Sequence, residues 1–461
     1  MTHLKNVSGY LPDENPPLGK LILFALQQIV VMFPATVIVA LLTGFHISTT
    51  LFASGFATLC FIIVTKGQIP LYYGSSFAYL SAIVSVTGFK YAAGSVATSP
   101  DEMIRIAQFG IVMSGFVSII AGVIINRFGK DTIDKILPPT VTGSIAMIIG
   151  LTLAENAILD AAPFIEGLNN NPDTQLVWIV SLVTLFSTIF FSVYIKRGVL
   201  SQIPILLGLT AGYITAFIVQ QVTGITFFHF DIVQGAIVQM PHFTLPKVSW
   251  PALFAIMPIA IATIPESTAH IYQLDIYVNQ LSKKKKTGKI YKIKEKLGLN
   301  LIGDGLGDIV SGMIGGPAGT NYGENISTMA ISKNFSIAVL LAAAVITMII
   351  SFFTPLINLI YSIPKPVIGG LEIYLFGVIA AQGIAIFMDR KVNMFDSKNL
   401  AVIAVILIVG LGGNSAFGGM IPFFGLQMPT IATAAILGIG LNILLSIGHK
   451  KEKDTSTDIS S

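Results

Sequence analysis

Twelve apolar runs, each bounded by charge or by Gly and Pro, recur along the chain near 18–42, 47–65, 103–125, 137–158, 176–195, 201–221, 252–279, 297–315, 335–359, 366–388, 399–412 and 428–448. About 20 apolar residues cross a ~30 Å hydrocarbon core as one helix. Inside lipid the helix is one of few ways to satisfy every backbone N–H and C=O. Twelve such runs within 461 residues leave no room for a sizeable aqueous domain. The expected class is therefore an all-α polytopic membrane protein. Charged residues make up only 11% of the chain and mean hydropathy is +0.79, both too apolar for a soluble enzyme. A net charge of +4, with Lys and Arg in short loops, excludes a nucleic-acid binder. The lone cysteine, Cys60, permits no intramolecular disulfide. The first seventeen residues are polar and lack the apolar stretch of a secretory signal peptide, so the first run is expected to serve as insertion signal.

Two further stretches, 68–88 and 316–332, are interrupted by Gly, Pro, Ser and Asn and are too polar for a full helix. Each can still cross as part strand, part helix. For the second, about five extended residues at ~3.3 Å and about ten helical residues at ~1.5 Å sum to roughly 32 Å. Fourteen crossings then fit, and basic residues, which concentrate on the cytoplasmic side, test the count. With the N-terminus inside, 23 of the 27 Lys and Arg fall on one side: Lys5, Lys20, Lys66, Arg127, Lys130, Lys135, Lys196, Arg197, eight lysines between 283 and 296, Lys333, Arg390, Lys391, Lys398, Lys450, Lys451 and Lys453. Lys90, Arg105, Lys247 and Lys365 fall on the other. Removing either broken crossing scrambles this partition. Both termini are thus expected to be cytoplasmic, and the lysine run 283–286 reads as a solvated loop.

A faint internal repeat sets Leu137-Pro138-Pro139-Thr140-Val141-Thr142-Gly143 against Ile363-Pro364-Lys365-Pro366-Val367-Ile368-Gly369, an offset of 226 residues. These strings open spans five and twelve, and the broken segments are spans three and ten. An offset of seven spans is odd, so the halves are inserted upside down relative to each other. The expected architecture is fourteen transmembrane segments as two inverted repeats of seven, with strand-plus-half-helix segments in spans three and ten. Inverted repeats with discontinuous helices characterise secondary transporters, whose site lies at the bilayer midplane.

Carboxylates that call for a reason within the spans are Glu266, Asp275, Asp304, Asp308, Glu324 and Glu372. A charge near the bilayer centre costs at least ~2.5–3.5 kcal/mol, so each needs a proton, a span end, hydrogen-bond donors or a watery cavity. Glu266 and His270 are one helical turn apart, just after Pro265, and form a candidate proton-coupling pair. A self-satisfied polar patch is the plainer alternative. Glu324 stands where Thr320-Asn321-Tyr322-Gly323 should turn into a half-helix, beside unpaired N–H groups at its positive end. Gly323 admits a ligand close to the backbone. Tyr73-Gly74-Ser75-Ser76-Phe77 is the matching place in the first half. Two facing half-helix N-termini supply donors, Glu266 and Glu324 supply acceptors, and Phe77 supplies a flat apolar face. Their complement is a small planar molecule bearing both N–H groups and carbonyls. Asp304 and Asp308 lie in GDGLGD, which contains the GxGD string of intramembrane aspartyl proteases. No Tyr-Asp partner occurs, so both read as structural acceptors and no enzyme activity is expected. Glu372 stays open between a second proton site and a span end facing water.

Lys66-Gly67-Gln68-Ile69-Pro70, Tyr73-Gly74-Ser75-Ser76-Phe77-Ala78, Glu266 with His270, and Asn321-Tyr322-Gly323-Glu324-Asn325 running on to Ala330-Ile331-Ser332-Lys333 together resemble the nucleobase/ascorbate transporter family, in its bacterial uracil permease branch. The resemblance spans nearly the whole chain. It implies a core domain (18–126 and 252–359) and a gate domain (131–221 and 366–448), proton symport without another cofactor, an elevator-like motion, a homodimer and residence in the cytoplasmic membrane. By the same resemblance Phe77 stacks on the base, Glu266 and Glu324 accept its ring N–H groups, and the Gly323–Glu324 backbone meets a carbonyl. The substrate-binding set is then Ser76, Phe77, Glu266, Tyr322, Gly323 and Glu324, and the proton-coupling set is Glu266, His270 and Glu324. Purine carriers of the family tend to carry Gln at the Glu324 position. Ser267, Gln28 and Phe376 depart from residues common in uracil carriers, which keeps a xanthine or urate permease open. An anion transporter of the bicarbonate/sulfate type is the rival within the same fold.

Overall fold

The computed structural model describes residues 9–89, 98–129, 138–162, 172–195, 200, 203–228, 236–423 and 426–448. The features noted above at Lys5, Lys90, Lys130, Lys135, Leu137, Lys196, Arg197, Lys450, Lys451 and Lys453 lie outside the described residues. Among the described residues, ten helices are long and apolar enough to cross a membrane.

The first half contains α1 (Leu18–Thr43), α2 (Ile47–Val64), β1 (Tyr73–Ser75), α3 (Leu80–Thr87), α4 (Asp101–Phe128), α5 (Pro139–Thr152), α6 (Ala154–Ala161), α7 (Pro172–Tyr194) and α8 (Pro204–Thr223). The second contains α9 (Trp250–Ile256), α10 (Ala260–Lys284), α11 (Leu297–Ile314), β2 (Gly319–Asn321), α12 (Gly323–Ser332), α13 (Ile337–Ile350), α14 (Thr354–Tyr361), α15 (Lys365–Asp389), α16 (Ser397–Phe417), β3 (Met420–Phe423), β4 (Leu426–Pro429) and α17 (Thr430–Gly448). Sequence explains the ends: Gly44 closes α1 in the left-handed conformation at φ 75°, and Asp101 and Glu102 open α4 while Arg127 closes it, complementing the helix dipole.

Three differences from the sequence-based expectation have local causes. The run 335–359 is not one helix: the chain breaks at 351–353 and Pro355 opens the separate α14, while Val238 bridges Phe353. The run 137–158 extends to Ala161 with a break at Leu153, which brings Asp160 into the buried interior. Between α16 and α17 the strands β3 and β4 form an antiparallel hairpin that no hydropathy run announces.

Contacts sort the loops to two ends of the molecule. At one end Tyr10 bridges Asn334, the Ile337 amide donates to the Pro12 carbonyl, Lys285 pairs with Glu14, Lys289 pairs with Asp13, and Gly67 approaches Ile337. At the other, Ser99 bonds to Gly44, Thr49 to the His242 carbonyl, and Gly315 lies against Thr244. Residues 67–89 lead away from the first end and residues 315–334 run between the two, and among the described residues neither stretch contains a full-length helix.

Close helix crossings hold the bundle together. A Cβ added at Gly115 or Gly122 of α4 would strike the carbonyls of Gly305 or Gly298 in α11. Gly55 of α2 approaches Ala344 of α13 in the same way, and Gly143 of α5 approaches Gly383 of α15. Without a hydrophobic drive between helices in lipid, such small residues gain stability through backbone proximity and dispersion.

Candidate functional site

The two interrupted segments meet. Strand β1 pairs antiparallel with β2, with Tyr73 opposite Asn321, Gly74 opposite Thr320 and Ser75 opposite Gly319. Two flanking bonds extend the ladder, Ser76 N–H to the Ala318 carbonyl at 3.0 Å and Tyr322 N–H to the Tyr72 carbonyl at 3.0 Å. Two residues beyond Ser75 a single tight turn, Phe77–Tyr79, leads into α3, and two residues beyond Asn321 α12 begins at Gly323. The N-termini of both short helices thus lie beside the strand pair.

Two aspartates of α11 fix this pair. Asp308 Oδ1 accepts from the Tyr73 hydroxyl at 2.5 Å and from the Gly319 N–H at 2.8 Å. Asp304 accepts from Ser267 at 2.6 Å, Asn321 at 2.6 Å and Asn300 at 3.3 Å. Both aspartates sit near the middle of an eighteen-residue helix, so the strand pair sits at about half its depth. Behind them, Ser54 and Thr58 bind the Tyr73 carbonyl, and Asn325 binds Gln28 at 2.8 Å. These Ser, Thr, Asn and Gln partners were visible in the sequence as isolated polar residues within apolar runs, but nothing there indicated which would pair.

Accessible surface separates wall from lining. Tyr72, Tyr73, Ser75, Ser76, Asn321, Tyr322, Asn325 and Ile326 are buried. Glu324, one residue before Asn325, is exposed, and Phe77, Glu266, His270 and Gly323 are half-exposed. These five are the accessible groups at and around the ends of the two half-helices. Glu266 and Glu324 are near enough to repel each other, and His270 lies against the Asn321 backbone. A Cβ on Gly323 would stand 2.8 Å from His270 Nε2. His270 Nδ1 has no hydrogen-bond partner. Phe77 packs edge-on against Phe376, ring centroids 6.2 Å apart, so one face of its ring is held in place.

Two of the sequence candidates point elsewhere. The Tyr322 hydroxyl is shared between Thr36 at 2.9 Å and the Ser75 carbonyl at 3.0 Å, and its ring covers Gly74. Ser76 accepts from the Ala78 N–H at 3.3 Å, capping the turn that carries Phe77. Asp275 also serves the backbone, accepting from the Ile293 and Lys294 N–H groups. Glu372 is 1% exposed and its carboxylate oxygens have no partner; its charged neighbours are Asp160 and Lys365, which pair at 2.8 Å.

A helical bundle with ten membrane-length helices among the described residues, and two interrupted segments paired at half depth near accessible carboxylates, has the build of a transport protein. Comparison with known proteins narrows this class. A family model described as Permease family (Xan_ur_permease) matches residues 19–418. The uracil permease of Bacillus caldolyticus is 36% identical over 450 residues, covering 94% of each chain, and that of Bacillus subtilis (strain 168) is 34% identical over 439 residues, again 94% of each. The fold is similar to the murine Solute Carrier 26 family member A9 anion transporter, with a TM-score of 0.65, 13% identity, and coverage of 95% of this chain and 70% of that one. The chain belongs to this permease family, and is a multi-pass membrane permease rather than an enzyme.

Proposed function

We propose that this permease imports uracil across the cytoplasmic membrane together with protons. The observation that carries the reading is the meeting of the two half-helices: Glu324 is accessible at the N-terminus of α12, Glu266 is near enough to repel it, and the accessible Phe77 ring opens the turn into α3, so that in this reading the three line one vestibule. Uracil offers two ring N–H donors, two carbonyls and a flat face, the complement of that set. The relatives named uracil permease support the choice of base. So do the departures at Ser267 and Gln28. Ser267 turns to Asp304 and Gln28 to Asn325, both buried, so neither alters the vestibule lining.

Against an anion carrier stands the lining charge. Among the described residues, the ion pairs involve neither Glu266 nor Glu324, and two facing carboxylates repel an anion. Protons are the natural coupling ion for the same reason: facing carboxylates without a cation need a proton between them, and His270 is positioned to exchange it. No further cofactor enters this account.

The membrane arrangement in this reading is fourteen crossings as two inverted sets of seven, with both termini cytoplasmic. Its support is that helix contacts come in pairs under a seven-span offset. α2 against α13 is mirrored by α4 against α11, α7 against α8 by α16 against α17, and α7 against α15 by α5 against α16. The contacts of β1 with β2 and of α5 with α15 map onto themselves. Spans one to four and eight to eleven form a core that moves against a gate of the other six, in a homodimer.

Uptake of labelled uracil in a permease-deficient strain, challenged with unlabelled xanthine, urate, thymine, hypoxanthine and bicarbonate at two pH values, tests the substrate. Uracil should compete fully and bicarbonate not at all, with faster uptake at the lower external pH. A site built around paired hydrogen bonds rejects analogues lacking one by ~10⁴ or more. Competition by xanthine or urate at uracil-like concentrations would assign a purine carrier instead.

A further inference from the structure

Away from the vestibule, at the end of the molecule opposite the N-terminus, three metal-ligating side chains converge from three separate segments. His46 precedes α2, Asp101 is the first residue of α4, and His242 lies in the stretch 236–249 that leads into α9. His242 Nε2 stands 2.8 Å from Asp101 Oδ2, and His46 Nε2 stands 3.6 Å from Asp101 Oδ1. The two imidazole rings are 4.5 Å apart between centroids, and one ligand atom from each residue lies within 4.8 Å of the others. His46 Nε2 is buried without a hydrogen-bond partner, so this donor atom is desolvated and turned toward the cluster.

The segments carrying these groups are already tied together. Ser99 N–H bonds to the Gly44 carbonyl at 2.8 Å, Thr49 to the His242 carbonyl at 2.7 Å, and Lys247 N–H to the Arg105 carbonyl at 2.8 Å. The two nearby cations are engaged elsewhere, Arg105 on the Leu245 carbonyl and Lys247 on Glu102. Two imidazoles and one carboxylate, with a position left for water, are a donor set suited to Zn²⁺. Tetrahedral coordination at ~2.0–2.2 Å sets donors about 3.3–3.5 Å apart, so side-chain rotation closes the site without backbone movement.

We propose that His46, Asp101 and His242 bind a divalent transition metal, Zn²⁺ in particular, which clamps the stretch 236–249 to the adjacent ends of α2 and α4. This site is independent of the substrate reading. Its ligands lie in loops or at a helix start, outside the vestibule.

The test uses purified full-length protein carrying an affinity tag without histidines, stripped with chelator. Zn²⁺ is titrated by calorimetry, Co²⁺ is titrated by visible absorption, and Tm is followed against zinc concentration. Wild type should bind one equivalent saturably, show the absorption of low-coordinate Co²⁺, and rise in Tm as zinc increases. His242→Ala should weaken binding by at least the roughly 10–100-fold that loss of a mere supporting partner costs a metal site, and His46→Ala/His242→Ala should abolish it. His242→Asn, which keeps a polar side chain at this exposed position, guards against a folding defect, with a monodisperse elution profile as control. Absence of saturable zinc binding by wild type, or equal binding by the double variant, would reduce the cluster to a hydrogen-bonded latch and overturn the proposal.

Discussion

Carboxylates inside membrane spans look alike in sequence, and their neighbours give them different work. Asp308 is consumed by donors from Tyr73 and Gly319, whereas Glu324 faces open space at a helix N-terminus. Tyr73→Phe removes one donor from a buried acceptor, and should lower stability by about 1–3 kcal/mol. It is read as a lower Tm of the solubilised protein. Phe77→Ala should lower Tm somewhat through loss of the Phe376 contact and raise the KM for uracil by roughly 5–150-fold, the equivalent of the ~1–3 kcal/mol that an aromatic platform contributes to a stacked base. The sequence made Glu266, Glu324 and Phe77 legible because each breaks an expectation: charge in a span, or an aromatic among Gly and Ser. Tyr322 and Ser76 shared those neighbourhoods, but their hydroxyls are engaged with Thr36, the Ser75 carbonyl and the Ala78 N–H. Which way a side chain turns on a two-sided strand is decided by packing that no local pattern carries.

Apolar runs bounded by charge marked most helices to within a few residues, and Gly, Pro and Asn marked both broken segments. The splitting of 335–359 escaped because Phe352 and Phe353 keep hydropathy high while Val238 and Pro355 end the helix. The β3–β4 hairpin escaped because its residues are apolar in either conformation. Helix partners were equally unreadable, although small residues hinted at which faces pack. Gly115 meets Gly305 with no space for a Cβ. Gly115→Leu should force α4 from α11 and cost about 1–3 kcal/mol or more by overpacking. Because α11 carries Asp304 and Asp308, uracil uptake should fall along with Tm; Gly377→Ala, where a Cβ meets nothing within 4 Å, should alter neither.

Across the whole molecule, the uneven distribution of Lys and Arg is the sequence feature from which the proposed topology is read. Three of its four exceptions have partners: Lys247 pairs with Glu102, Lys365 with Asp160, and Arg105 donates to the Leu245 carbonyl. Two interrupted segments paired as strands beside Asp304 and Asp308 place helix N-termini inside the bundle, where a continuous helix would have none.

The most direct measurement is saturable binding of labelled uracil to the purified permease, wild type beside Glu324→Ala. Wild type should bind uracil displaceable by unlabelled uracil, and Glu324→Ala should lose that binding while eluting as a folded, monodisperse protein. Undiminished binding by folded Glu324→Ala would contradict the assignment of the substrate to the meeting point of the two half-helices.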